Sequence, residues 1–176
     1  KKKLPKGTGM GVAFHFSHRG YFAEVVQATV SKAGAVKIDK VWVAHDCGFA
    51  INPLAVTGQV QGAVWMGMGQ ALQEETQYHE GLHLRPNFLD YRVPTIAESP
   101  PIDVKLVESN DPLGPFGAKE ASEGGLHAFP PALTNAIADA IGIRLSELPA
   151  TPDRVLDAIE RKRREDKLAA ARARRS

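Results

Sequence analysis

Twelve residues constrain this chain more than any other stretch: Gly114-Pro115-Phe116-Gly117-Ala118-Lys119-Glu120-Ala121-Ser122-Glu123-Gly124-Gly125. They hold two carboxylates, one lysine and five glycines or prolines. An apolar run at helical spacing follows at once, through Leu126, Phe129, Leu133, Ile137 and Ile141. Glycines let backbone come close to a ligand, and the first turn of the following helix offers unbonded N–H groups. Two readings stay open at this point. In one, a capped loop places its acids where the helix N-terminus favours them. In the other, the loop holds a carboxylate, Glu123, for chemistry.

Composition narrows the setting. A chain of 176 residues fits one domain or part of a larger protein, and 43% apolar residues suffice for a packed core. A single cysteine, Cys47, excludes an internal disulfide, a cysteine-based zinc site and a four-cysteine iron–sulfur site. It suits a reducing compartment, and with no signal-like apolar segment at the start it predicts a cytoplasmic location. No apolar run approaches the roughly 18 residues of a membrane span. Net charge is +2, but residues 161–176 carry eight Lys or Arg against two acids. That basic tail has no interleaved aromatic residue for base stacking, so it reads as a solvated helix end and not as a nucleic-acid surface.

The chain divides into a solvated lead-in at residues 1–8, a domain at 9–160 and the basic tail at 161–176. Phe14 and Phe16 alternate with His15 and Ser17, a strand period. On a strand His15 and His18 face opposite ways, which argues against a metal pair. Residues 21–30 and 36–44 read as two antiparallel strands about a turn at Ser31-Lys32-Ala33-Gly34. The second ends in Val41-Trp42-Val43-Ala44, a run expected to be buried on both faces. Asn52 is a suitable N-cap and Pro53 a suitable first helical residue. A helix is predicted over 53–78. Gly58, Gly62, Gly67 and Gly69 are costly within it and imply close approach by backbone or ligand. Trp65, Met66 and Met68 read as core, and Gln59 and Gln61 as buried amides needing partners. A short hairpin is predicted over 77–84, turning at Glu80-Gly81. Asp90 and Arg92 could pair. A strand is predicted over 102–108, then a helix from Leu126 capped by Gly142, and a last helix from Thr151-Pro152. The expected fold is α+β: a small, mainly antiparallel sheet packed with two long helices plus a C-terminal helix.

The segments recur together in a known order. His45-Asp46-Cys47-Gly48, Ile51-Asn52-Pro53, Gly58-Gln59-Val60-Gln61-Gly62 and residues 69–75 come first. Asn87-Phe88-Leu89-Asp90-Tyr91-Arg92-Val93-Pro94 and Gly117-Ala118-Lys119-Glu120-Ala121-Ser122-Glu123-Gly124 follow. Over roughly residues 9–160 this resembles the C-terminal part of the molybdenum-binding subunit of the xanthine oxidase and aldehyde oxidase family. The block at 116–124 resembles the 4-hydroxybenzoyl-CoA reductase branch, and the opening at 9–30 the isoquinoline 1-oxidoreductase branch, so substrate stays open.

The resemblance implies a molybdenum-pterin-dependent oxidoreductase acting on aldehydes, N-heterocycles or aromatic acyl-CoA. It implies a molybdenum-pyranopterin cofactor, in bacteria usually the cytosine dinucleotide. Dithiolene sulfurs of the pterin hold the metal, so no protein metal ligand is expected. Glu123 matches the family's active-site glutamate, a general base taking a proton from the Mo–OH group as its oxygen attacks substrate carbon. Gln59 matches a glutamine that hydrogen-bonds the pterin, and Gly117, Ala118 and Lys119 lie near the cofactor by the same match. Electrons leave through iron–sulfur centres, and usually FAD, on partner domains or subunits. Family subunits are several times longer than this chain, so it resembles half a cofactor site, active only with the remaining half of the molybdenum subunit. The alternative is a non-catalytic remnant or assembly domain of the same fold. The loop has Ser122-Glu123-Gly124-Gly125 where many members have Gly-Glu-Pro.

Overall fold

A computed structural model describes residues 3–173. Six strands and three α-helices are present among them: β1 (Thr8–Ser17), β2 (Gly20–Val30), β3 (Val36–Asp46), α1 (Pro53–Leu72), β4 (Tyr78–His79), β5 (Leu82–His83), β6 (Ile102–Val107), α2 (Gly124–Ile141) and α3 (Pro152–Ala173). The main sheet has the order β1-β2-β3-β6. Its first two pairings are antiparallel and the third is parallel, so the sheet is mixed. The parallel partner requires a long crossover, and α1 with the irregular segment behind it provides one. β4 and β5 form the hairpin expected over 77–84, turning at Glu80 and Gly81.

Both long helices lie on one face of the sheet. Strand parity decides what they cover: Phe22, Val26 and Ala28 of β2 and Val41 and Val43 of β3 are buried beneath them. Val60, Val64, Phe129, Leu133 and Ile137 fill the core from the helix side. Two glycines set the spacing of β1 against α2. A Cβ on Gly9 or Gly11 would strike the α2 backbone between Ala132 and Ala140. The facing positions Ala128, Ala132 and Ala136 are small and fully buried, so helix and strand meet almost backbone to backbone.

The helix ends follow local chemistry. Asn52 caps α1 by accepting from the Ala55 N–H at 3.0 Å, with Pro53 in the first turn. Gly142 closes α2 in the left-handed conformation, its N–H bonded to the Ala138 carbonyl. Pro130 and Pro131 lie inside α2. Pro130 frees the Leu126 carbonyl, which lies 3.0 Å from where a Gly67 Cβ would sit, so α1 needs a glycine there.

Five sequence expectations change. The first helix ends at Leu72, six residues early: Gln73 leaves helical geometry, and both Gln73 and Glu74 bond back to the Gly69 carbonyl. Met66 is exposed, whereas Met68 is core and Trp65 half-buried. Gln59 and Gln61 are exposed. Arg92 pairs with Glu98 at 2.7 Å and not with Asp90. The end of β3 is not buried on both faces within this chain: Val41 and Val43 face the helices, but Ala44 is exposed and Trp42 half-exposed on the other side. β1 starts at Thr8, and α3 carries the basic segment as exposed helix through Ala173; residues 174–176 fall outside the described residues.

Candidate active site

The loop before α2 is pinned to the ends of β2 and β3 from both sides of the sheet. Its start is held by Arg19, in the β1–β2 turn, which pairs with Asp111. Asp111 also accepts from the Leu113 and Gly114 N–H groups at 2.8 and 3.1 Å. The Arg19 guanidinium and these N–H groups hold the Asp111 carboxyl well below the usual carboxylate range. A short 3₁₀ turn at Pro115–Gly117 follows. Phe116 within it sits at φ 54° and is 91% exposed, a strained aromatic turned outward at the loop tip.

The middle of the loop pairs with the segment after β3. Phe49 N–H donates to the Gly117 carbonyl at 2.8 Å, and Lys119 N–H to the Cys47 carbonyl at 2.8 Å. The Gly117 and Ala118 N–H groups bond back to Gly114 and Pro115. Lys119 is only 3% exposed; its ammonium pairs with Asp46 at 2.9 Å and lies 4.9 Å from the Tyr21 ring centre. Asp46 also accepts from Gly48 N–H and Ser109 Oγ. Burial raises the Asp46 pKa, but those donors and Lys119 outweigh it and leave the carboxyl depressed. Cys47 is buried, and burial pushes its thiol up, so it is no nucleophile.

The next residue crosses to the helix face of the sheet. Buried His45 donates from Nε2 to the Glu120 carbonyl at 3.0 Å and stacks on Phe22 at 4.0 Å. Burial lowers its pKa, so the ring is neutral at neutral pH. Glu120 Oε1 accepts from the Ser122 and Gly124 N–H groups at 3.0 and 3.1 Å. The capped-loop reading is therefore true of Glu120. Glu123 occupies the N-cap position of α2 without capping it. Its side chain is exposed and has no hydrogen bond or ion pair among the described residues. A Cβ at Gly124 would fall within the Phe22 ring, so the two glycines seat Glu123 directly against the sheet end.

Gln59 stands at the same end of the helix pair. One turn on, Ala63 lies 3.5 Å from where a Gly125 Cβ would be, two residues past Glu123. Gln61 donates to the Ile102 carbonyl at 3.3 Å, whereas the Gln59 amide is exposed and has no partner among the described residues. The four helix glycines separate likewise. Gly67 and Gly69 meet neighbouring atoms, but a Cβ on Gly58 or Gly62 would meet nothing within 4 Å. No group of three or more metal-ligating side chains exists among the described residues. Glu123 stands at the start of α2 and Gln59 in the first two turns of α1, and the two helices approach each other at Gly125 and Ala63. The backbone N–H groups of Gly117 and Ala118 are engaged inside the loop, and that of Lys119 by the Cys47 carbonyl.

Strand parity could have singled out two buried polar residues. His45 shares the face of Val41 and Val43, and Glu24 shares that of Phe22 and Val26. Glu24 is fully buried with both carboxyl oxygens unpartnered. Burial pushes its pKa up to about 8. The Asp46–Lys119 and Arg19–Asp111 pairs join residues far apart in sequence and leave no local signal.

A family model described as the molybdopterin cofactor-binding domain matches residues 2–100. The chain belongs to that family. Within it, the chain groups with molybdenum-binding subunits of xanthine oxidase-type oxidoreductases. It is 38% identical over 159 residues to the probable hypoxanthine oxidase XdhD of Escherichia coli (strain K12), covering 88% of this chain and 16% of that protein. It is 41% identical over 129 residues to the nicotine 6-hydroxylase large subunit of Paenarthrobacter nicotinovorans, covering 71% and 16%. The crystal structure of quinoline 2-oxidoreductase from Pseudomonas putida 86 superposes with a TM-score of 0.76 and 28% identity, over 80% of this chain and 19% of that one. This molybdopterin-binding chain spans about a sixth of the curated relatives it matches. No described helix is long and apolar enough to cross a membrane.

Proposed function

We propose that this chain forms one wall of a molybdenum-pyranopterin site, where Glu123 is the general base of an oxidative hydroxylation. The observation that carries the reading is the division of labour between the two loop acids. Glu120 caps α2, while Glu123 has no structural partner and faces outward from a rigidly held loop. When bound, the cofactor supplies the redox centre that accepts two electrons and delivers water-derived oxygen to a substrate C–H carbon. Water's oxygen becomes the new C–O bond, the C–H bond breaks, and two protons and two electrons leave. Glu123 would take one of those protons; iron–sulfur and FAD groups on partner domains or subunits would receive the electrons.

Gln59 holds the pterin through its side-chain amide. Gly117, Ala118 and Lys119 serve the site through the shape of their loop, because the Lys119 ammonium is held by Asp46. Glu123 is exposed in this chain, and excluding water strengthens the electrostatics of a site and guards it against side reactions, so the remaining half of the molybdenum subunit closes the pocket. The cytosine dinucleotide form of the cofactor is the one we assign. An N-heterocycle is the favoured substrate class, because hypoxanthine, nicotine and quinoline appear in the names of similar proteins.

The test compares two single variants in the metal-loaded complex. Glu123→Gln is expected to keep the cofactor and lose about 10²–10⁴-fold in turnover, the usual contribution of a general base. Glu120→Gln is expected to lower thermal stability by weakening the α2 cap. Equal turnover losses at equal molybdenum content would overturn the assignment.

A further inference from the structure

The sheet has a second apolar face that nothing among the described residues covers. Register places its side chains in continuous cross-strand rows. Val12 lies opposite Val25, and Val25 opposite Trp42; Phe14 lies opposite Ala23, and Phe16 opposite Tyr21. Val12, Phe14 and Phe16 are 61%, 62% and 54% exposed. Phe14 and Phe16 both pack on Tyr21, with ring centres 6.1 and 5.0 Å away. A sheet apolar on both faces reads as one layer of a thicker structure, and a patch of this kind marks an interaction surface.

We propose that this outer face of β1–β3 is where the remaining part of the molybdenum-binding subunit packs, by face-to-face apolar contact. The inference rests on the function proposed above. Two observations choose the occupant. In the curated relatives matched here, the region aligned with this chain is 16% of the polypeptide, so a far longer stretch of the same subunit must pack somewhere against this fold. The face also runs into the site: Asp46 lies opposite Tyr21 in the register, and the Lys119 ammonium rests between them. A body that covers Phe16 and Tyr21 therefore also abuts the loop that carries Glu123.

Two further features define the contact. The β6 side of the face is charged, with Lys40 paired to Asp103 at 2.6 Å and Lys105 exposed, so the apolar footprint centres on β1–β3. Strand addition at the β1 edge is opposed. Asp139 takes the outward Met10 N–H at 2.9 Å, and Asn135 donates to the Val12 carbonyl at 3.1 Å. These α2 side chains blunt the edge, which leaves the face as the surface to be covered.

The experiment is photo-cross-linking in the native, metal-loaded enzyme that contains this chain. p-Benzoylphenylalanine is placed at position 12 on the face and, as a reference, at position 168 on exposed α3. Expected are cross-links from position 12, at least tenfold above those from position 168, to peptides of the molybdenum subunit outside the segment aligned with this chain. Cross-links from position 12 to a second copy of this chain, or a yield equal to that from position 168, would overturn the inference. Molybdenum content of the same sample keeps the two ideas apart. Metal present with position 12 unlinked sinks only the packing inference, whereas a linked face without metal sinks the functional reading on which it rests.

Discussion

At the scale of single residues, partners separate function from scaffold. Gln59 and Gln61 are two residues apart, yet Gln61 is tied to β6 and Gln59 is not. Gln61→Ala is expected to cost about 0.5–1.5 kcal/mol of stability, the net worth of one hydrogen bond, with cofactor content unchanged. Gln59→Ala is expected to leave thermal unfolding within about 0.5 kcal/mol of the parent while lowering bound pterin. Thermal melts and pterin release on both variants check the pair. Glu24 belongs at this scale too. Its folded-state pKa is raised from 4.5 to about 8, so the folded chain holds this proton more tightly than the unfolded one. That contribution is complete below the unfolded pKa, declines as pH rises toward about 8 and then levels off. The decline is at most about 1.4 kcal/mol per pH unit. Glu24→Gln cannot titrate, so its unfolding free energy in urea should fall less between pH 5 and pH 8 than that of the parent; parallel declines would contradict this. Glu24 was legible only through parity. The sequence marks it as a charged residue among Val and Ala, and strand alternation is needed to turn it inward.

At the scale of elements, close approach is the rule that shapes the fold. The α2 backbone rests on Gly9 and Gly11, and its first turn on the Phe22 ring. Gly11→Ala is expected to destabilise the chain by about 1–3 kcal/mol or more, because both the strand and helix backbones would have to shift. Gly62→Ala, which meets nothing within 4 Å, should gain slightly in helix propensity, by less than about 1 kcal/mol. Chemical denaturation of the two variants measures both signs. The helix caps at Asn52 and Gly142 and the hairpin at Glu80-Gly81 were legible because each depends on residues adjacent in sequence. The early end of α1 was less so: Gly69 and the residues that bond back to it compete with an otherwise helical pattern. The parallel pairing of β6 with β3 is long-range, and strand propensity says nothing about direction.

At the scale of the whole molecule, two open surfaces define what the chain lacks. One is the end where α1 and α2 start, with Gln59 and Glu123 exposed on them; the other is the outer sheet face. A cavity of about 560 Å³ between β3, the end of α1 and residues 97–101 includes neither Glu123 nor Gln59. The site proposed above is thus an open surface and not part of that cavity. The sequence motif at 117–124 singles out the loop that carries both acids, and Glu120 and Glu123 separate only through their hydrogen bonds: Glu120 accepts from the Ser122 and Gly124 N–H groups. The double apolar alternation of β3 was read as burial on both faces, and the chain alone supplies one of the two covers. The most direct test of this half-site is the metal and pterin content of the purified native enzyme that contains the chain, measured by elemental analysis and by release of the nucleotide. One molybdenum and one pyranopterin per chain, with pterin content falling in Gln59→Ala, is the predicted result. A stable, catalytically active preparation with no molybdenum would contradict it.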